Sequence, residues 1–266
     1  MFIPVRSEVR KNMPQDTPYD REHYQRYKAI EVPKYSMHWW SNRYFLKLVR
    51  KRLPRGRLLE IGCGTGFFLA ELRKHYEVCG IDISPFALDC ARSNCPGADI
   101  RNMRAEEVDG FPQEYFDVII ARHVLEHLRE PGEVLRRCGR VLRPGGLLLF
   151  VVPHTDSLAR RWKGEDWYGY RDETHISLLS SAEWLRLVRE SGLEVRKAFA
   201  DGLWDVPYLP RLPHRLQKVL FGSLGGIQAL LALSFVPVPL GEALIVLAEK
   251  PAGEGSEACP AEKKER

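Results

Sequence analysis

The run Glu60-Ile61-Gly62-Cys63-Gly64-Thr65-Gly66 is where residue type and spacing carry the most chemistry. Glycines at alternate positions let a chain turn tightly and bring backbone N–H groups close to a ligand. The spacing here is Gly-x-Gly-x-Gly, and it departs from the Gly-x-Gly-x-x-Gly that holds a pyrophosphate. Glu60 sharpens the distinction. A carboxylate at the glycine loop repels a pyrophosphate and suits an ammonium group, which points to an amino-acid-bearing cofactor rather than NAD. Asp82 stands sixteen residues after Gly66. A carboxylate at the end of a second strand can accept hydrogen bonds from both ribose hydroxyls.

Three histidines are candidates for proton transfer: His123, His175 and His154. Imidazole is the side chain class best suited to take a hydroxyl proton near neutral pH. His123 follows the apolar run Phe116–Ala121, His154 follows Gly145–Val152, and His175 closes an Asp-x-x-His stretch with Asp172. Each has a plainer alternative: His123 as pocket lining, His175 and His154 as ordering elements of their loops. No compact ligand cluster such as His-Glu-x-x-His occurs, so no metal is expected.

These residues need a scaffold, and the chain alternates strand and helix patterns around them. Strands are expected at 57–61, 77–81, 98–102, 116–121, 145–152, 193–199 and 243–248, and helices at 67–75, 85–94, 131–141 and 180–191. Ser84 before Pro85 reads as a helix cap followed by proline at the first helical position. The alternation predicts a three-layer, doubly wound, mostly parallel seven-stranded sheet. The expected domain organisation is an N-terminal leader with cap helices over 1–54, a catalytic domain over 55–250 and a disordered tail over 251–266. Within 19–53 a helical pattern breaks at Pro33, and its aromatics, with His38, Trp39 and Trp40 among them, suit either closure of a pocket mouth or packing only against the main domain. The loop at 154–177 carries Trp162, Trp167, Tyr168 and Tyr170, suited either to stacking on an acceptor or to a satellite core.

The 266 residues, 44% of them hydrophobic, suffice for one substantial core. The six cysteines contain no Cys-x-x-Cys pair and read as small buried hydrophobes in a reducing compartment. No apolar stretch of signal-peptide length begins the chain, and a cytoplasmic location, with or without peripheral membrane contact, is expected. Net charge is +5, and residues 1–57 carry fourteen Lys or Arg against five Asp or Glu. That segment suits an anionic partner or a solvated face, but no zinc-finger spacing or Arg-Gly repeat supports nucleic acid. Residues 220–240 are free of charge for 21 positions and hold Pro237-Val238-Pro239. The preferred reading is a buried helix and turn; contact with lipid or a hydrophobic substrate is the second, and a membrane span the third. The insertion at 200–240 would equally serve a homodimer, so monomer and homodimer stay open.

In this order and at this spacing, the motifs resemble the class I S-adenosylmethionine-dependent methyltransferases, of the small-molecule type that includes the ubiquinone-biosynthesis enzymes. LLEIGCGTGFFLAEL is similar to the family's first motif, GIDIS to the second, MRAEEV to the third and FDVIIARHVLEHL to the fourth. The likeness runs over 55–152 and more weakly over 173–199 and 243–250. It implies that Gly62, Cys63, Gly64 and Gly66 wrap the methionine part of S-adenosylmethionine with Glu60 beneath. It implies also that Asp82 holds the ribose and Ile83 lies against the adenine. Arg104, Ala105 and Glu106 would border the base, and Arg122 and His123 would lie beside the methyl group. Many members have an acid where this chain has Arg104. The activity implied is in-line methyl transfer to a small-molecule acceptor, with O-methylation expected first; RNA- or protein-directed transfer and an inactive cofactor binder are the alternatives. In-line displacement from a sulfonium asks the protein mainly for alignment and exclusion of water.

Overall fold

The computed structural model describes residues 19, 21–26 and 32–252. The leader expected over 1–18 and the tail expected to be disordered, beyond residue 252, lie outside the described residues. Seven strands form one sheet: β1 (Arg57–Ile61), β2 (Glu77–Asp82), β3 (Asp99–Asn102), β4 (Phe116–Arg122), β5 (Leu142–Pro153), β6 (Glu194–Ala200) and β7 (Ala243–Glu249). Their order is β3-β2-β1-β4-β5-β7-β6, and only β7 runs antiparallel to its neighbours. The order reverses direction between β1 and β4. In open α/β sheets the ligand crevice lies at such a switch point, outside the C-terminal strand ends.

The central strands are apolar over most of their length because both faces are covered, with Glu60 and Arg122 among the exceptions. Leu59, Ile61, Ile119 and Phe150 pack on one side with α5 (Pro131–Val141) and α7 (Ser181–Glu190). Leu58, Val118, Ile120 and Leu149 pack on the other with α2 (Met37–Arg50), α3 (Phe67–Leu72) and α4 (Pro85–Asn94). Tyr44, Phe45, Leu48 and Val49 of α2 belong to that second core, so this N-terminal helix is part of the sheet's own packing. The caps arise from local chemistry. Ser84 Oγ accepts the Ala87 N–H at 3.2 Å, and Ser180 forms a capping box with Glu183. Cys63, Cys79, Cys90, Cys95 and Cys138 are free thiols.

Gly66 is the tightest point of the glycine loop. Its φ is +80°, and a Cβ there would lie 2.7 Å from the Ala91 Cα in α4. Left-handed backbone plus a clash with backbone that cannot step aside should cost Gly66→Ala roughly 2–3 kcal/mol. A urea midpoint lowered accordingly is the expected result; an unchanged midpoint would mean that α4 yields freely.

The region after β5 departs from the expected loop. It contains α6 (Leu158–Lys163) and two short 3-10 turns. Ala159, Trp167, Leu203 and Tyr208 make a small core there. Trp167 is fully buried and donates to Glu242 at 3.0 Å, while Tyr208 hydrogen-bonds the other oxygen of the same carboxyl. Trp167 therefore serves a satellite core, and this loop and the late insertion form one cap.

The insertion corrects the sequence expectation at 220–240. A single helix, α8 (His214–Leu231), starts six residues earlier than that apolar run. It is not a buried helix: Val219 is 70% exposed and Leu231 57%. No helix among the described residues is long and apolar enough to cross a membrane.

Candidate active site

The glycine loop turns back over the end of β2. Gly62 and Cys63 donate to the Ile81 carbonyl at 2.8 and 3.0 Å, and Gly62, Gly64 and Gly66 all have positive φ. Asp82 fixes the loop from below. Its Oδ2 accepts the Gly64 N–H at 2.8 Å and its Oδ1 the Ser84 N–H at 2.9 Å. Burial pushes the Asp82 carboxyl up, and those N–H groups with that of Ile83 pull it back. Each carboxylate oxygen has a second lone pair left for a ligand hydroxyl.

Glu60, on β1, and Arg122, ending β4, meet across the switch point at 3.3 Å. Arg122 also donates to Asn42 of α2 at 3.0 Å and lies 3.9 Å over the Phe68 ring. Burial pushes the Glu60 carboxyl up to about 7, against the opposing pull of Arg122, and pushes the Arg122 guanidinium down. Both shifts have one cause: the pair sits where charge is poorly solvated. Glu60 Oε2 and Arg122 Nε are both buried without a hydrogen-bond partner. A spare acceptor and a spare donor side by side are the polar complement of a zwitterion.

The remaining expected cofactor residues lie on the glycine loop or follow the C-terminal ends of β2 and β3. Ile83 is half-buried after β2, and Ala105 is buried at the start of the 3-10 turn after β3. Arg104 and Glu106 pair with each other at 3.2 Å near the surface. Cys63 is buried, which pushes its thiol well up and leaves it an inert wall.

His123 follows Arg122 with φ +54°, a left-handed backbone that a non-glycine residue adopts at a cost. Its side chain is 48% exposed, and its Nδ1 lies 3.1 Å from Oε1 of fully buried Glu126. Burial pushes the Asp201 carboxyl up, and His123 is among the groups that pull it back, which places the first residues of the insertion near this histidine. His175 packs its ring 4.8 Å from that of His127 and bonds the Gly169 carbonyl through Nδ1 at 2.7 Å. His127 Nδ1 is held by Thr174 Oγ1 at 2.9 Å, and Thr174 in turn by Asp172. His154 is different. It is fully buried, with Nδ1 on Asp156 at 2.8 Å and Nε2 without a partner. A sealed imidazole cannot reach a substrate hydroxyl, so the geometry makes His154 a tie between β5 and the Asp156–Ser181 corner at α7.

Sequence reasoning places Tyr19 and Tyr24 only in an aromatic helix that could cross a pocket mouth, gives Glu126 no role of its own and passes over His23. Glu126, His127 and His175 each offer a ligand atom, all within 4.8 Å of one another, so a cation could be held where no metal motif is legible. The helix α1 (Arg21–Arg26) brings Tyr24 over the loop, its ring 3.4 Å from where a Gly64 Cβ would stand. Tyr19 accepts a hydrogen bond from Ser84 through its carbonyl and packs edge-on against His127. Trp39 and Trp40, candidates for the pocket mouth, meet edge to face at the start of α2.

A doubly wound sheet with a ribose-type acid and a zwitterion-type pair at its switch point defines a nucleoside-amino-acid binding fold of the class I methyltransferase kind. A family model described as a methyltransferase domain matches residues 24–198, and the chain belongs to that family, the class I S-adenosylmethionine-dependent methyltransferases. A ubiquinone biosynthesis O-methyltransferase of Rhodopseudomonas palustris is 34% identical over 112 residues, 40% of this chain and 42% of that protein. A protein of the same name from Bradyrhizobium sp. is 36% identical over the same shares. These alignments span less than half of the relatives' length. An S-adenosylmethionine-dependent methyltransferase of Thermotoga maritima shares the fold at 20% identity, with a TM-score of 0.58 over 86% of this chain and 95% of that one. One from Mesorhizobium loti does so at 19% identity and a TM-score of 0.54, over 81% and 98%. The cofactor is S-adenosylmethionine. The residues fit that group: Asp82 would suit the ribose, and the unpartnered Glu60 and Arg122 atoms would suit the ammonium and carboxylate of the methionine end.

Proposed function

We propose that this protein methylates a hydroxyl of a hydrophobic small molecule, with His123 as general base and Glu126 as its orienting partner. The observation that carries the reading is the half-exposed His123 imidazole at the C-terminal end of β4, 3.1 Å from a buried carboxyl. The cofactor supplies a methyl group on a sulfonium, already activated for displacement. His123 can take the acceptor's proton as the oxygen attacks. Glu126 holds the Nδ1 side of the ring, leaving Nε2 to the substrate, and favours the imidazolium that forms. The cap made by α6, the 3-10 turns and α8 covers this edge and would exclude water. The relatives are ubiquinone biosynthesis O-methyltransferases by name, which favours oxygen as the nucleophile and a lipid-soluble acceptor. Such an acceptor would reach a cytoplasmic enzyme from a lipid surface, through peripheral membrane contact at 220–240. His175, with His127 and Asp172, is placed as the second candidate for the proton.

A catechol or quinol acceptor assay tests it. His123→Ala is expected to lower kcat by about a hundredfold. S-adenosylhomocysteine affinity should stay within a few-fold. Glu126→Gln should lower kcat less and displace the pH profile. Undiminished kcat in His123→Ala would move the proton to His175 or show that the acceptor needs no base.

A further inference from the structure

The polarity of α8 is inverted relative to an ordinary surface helix. Such a helix turns its apolar stripe inward and its polar residues to water. Here the inward positions include two glutamines, Gln217 and Gln228, both fully buried. Gln217 bonds the backbone of Tyr208, Leu209 and Leu212, and Gln228 that of Ala200, Phe235 and Val236. These contacts pin the helix to the cap through backbone hydrogen bonds. Leu216, Val219, Leu220, Ile227, Leu230 and Leu231 are left on the outside. At 3.6 residues per turn these six fall on one arc, roughly a third of the circumference. Arg215 lies on the flank of that arc and Arg211 just precedes the helix, both exposed, whereas Lys218 is exposed on the opposite side of the helix. From 206 to 241 there is no Asp or Glu.

We propose that the outer face of α8 is an interfacial helix that seats this protein on an anionic lipid surface. An exposed apolar arc flanked by cations only is complementary to a bilayer whose headgroups are negative and whose interior is apolar. The leucines and valine enter the acyl boundary, and Arg215, with Arg211 just before the helix, reaches up to the headgroups along its own aliphatic stem. A self-association face would be served by the same leucines but gains nothing from two unopposed cations, which repel their own copies across a two-fold contact. The position of the helix gives the contact a use. It comes after β6, whose C-terminal end lies on the crevice side of the sheet, and it packs through Phe221 on Trp162 and Tyr208 of the cap. This use, drawing a lipid-soluble acceptor to the site, rests on the proposed function; the docking itself does not.

Flotation of the full chain with vesicles of phosphatidylcholine alone, and of phosphatidylcholine with phosphatidylglycerol, tests the contact. The wild-type protein should float with the anionic vesicles and release at high salt. Val219→Glu combined with Leu231→Glu should lower the bound fraction at least about tenfold, and Arg211→Glu with Arg215→Glu should abolish the preference for anionic lipid. S-adenosylhomocysteine affinity and thermal midpoint serve as the folding check, since none of the four side chains is buried. Asp82→Ala should float like the wild type, which separates failure of docking from failure of the methyl-transfer reading. Wild-type protein that stays with neither vesicle overturns the proposal. So does a dimer in sedimentation velocity that the Val219 and Leu231 changes convert to monomer without any vesicle binding.

Discussion

Asp82→Ala should abolish usable S-adenosylhomocysteine binding, with affinity falling by about a thousandfold, or roughly 4 kcal/mol. Two losses combine in that figure. The first is direct. A carboxylate holding ribose hydroxyls makes charge-assisted hydrogen bonds worth roughly 1.5–3 kcal/mol each. The second is structural. Asp82 accepts the Gly64 and Ser84 N–H groups, so its removal frees the loop that wraps the cofactor and uncouples it from the start of α4. Asp82→Asn separates the two. The amide oxygen can keep one N–H acceptor role while the charge is lost, so an intermediate fall of about tenfold to a hundredfold is expected. Calorimetric titration reads both variants. Near-wild-type affinity in Asp82→Ala would remove this residue from the cofactor site and leave it only as the loop's anchor.

The parts of this molecule that are legible in the sequence are those where the cause is local. Strands buried on both faces write themselves as unbroken apolar runs, and Phe116–Arg122 and Leu142–Pro153 fall close to their expected places. The glycine loop is legible because its φ values demand glycine at particular positions. The rest depends on chain segments far apart in sequence. Nothing around Glu126 announces that its side chain turns back to His123 and also lies beside His175, 49 positions further on. Tyr19 and Tyr24 precede Gly64 by roughly forty residues, and only the fold brings α1 over the loop. His154 looks like its neighbours in an edge-of-strand position, but Asp156 and the start of α7 seal it. The expectation of a buried helix at 220–240 fails for a definite reason. Hydrophobic content alone does not set the inward face of α8. Two glutamines satisfying backbone groups set it, and the leucines are left outside.

Arg122→Ala is expected to cost about 3–5 kcal/mol of folding stability, because it strands the buried Glu60 carboxylate without its partner. The Glu60 side chain is 3% exposed, and among the described residues its one hydrogen bond is the 3.3 Å contact with Arg122. The loss should depend on pH, and its sign comes from the shift. Burial raises the folded-state value to about 7, while an unfolded glutamate titrates near about 4.3. A carboxyl with a raised folded value favours the native state while protonated, so its contribution falls as pH rises through that window and is flat above it. Without Arg122 the upper limit of the window moves higher still, since the guanidinium is the group that holds the value down. Urea unfolding at about pH 5 and about pH 8 should therefore show a large difference between Arg122→Ala and the wild type at the higher pH and a smaller one at the lower. The double variant Glu60→Gln, Arg122→Met tests the same cause from the other side. It removes both charges and keeps an apolar stem against Phe68, so it should recover most of the stability at the higher pH. It should not recover cofactor binding, because the acceptor and donor that match the methionine end are gone with the charges. Equal destabilisation of Arg122→Ala at both pH values would assign the loss to the Phe68 and Asn42 contacts rather than to the stranded carboxylate.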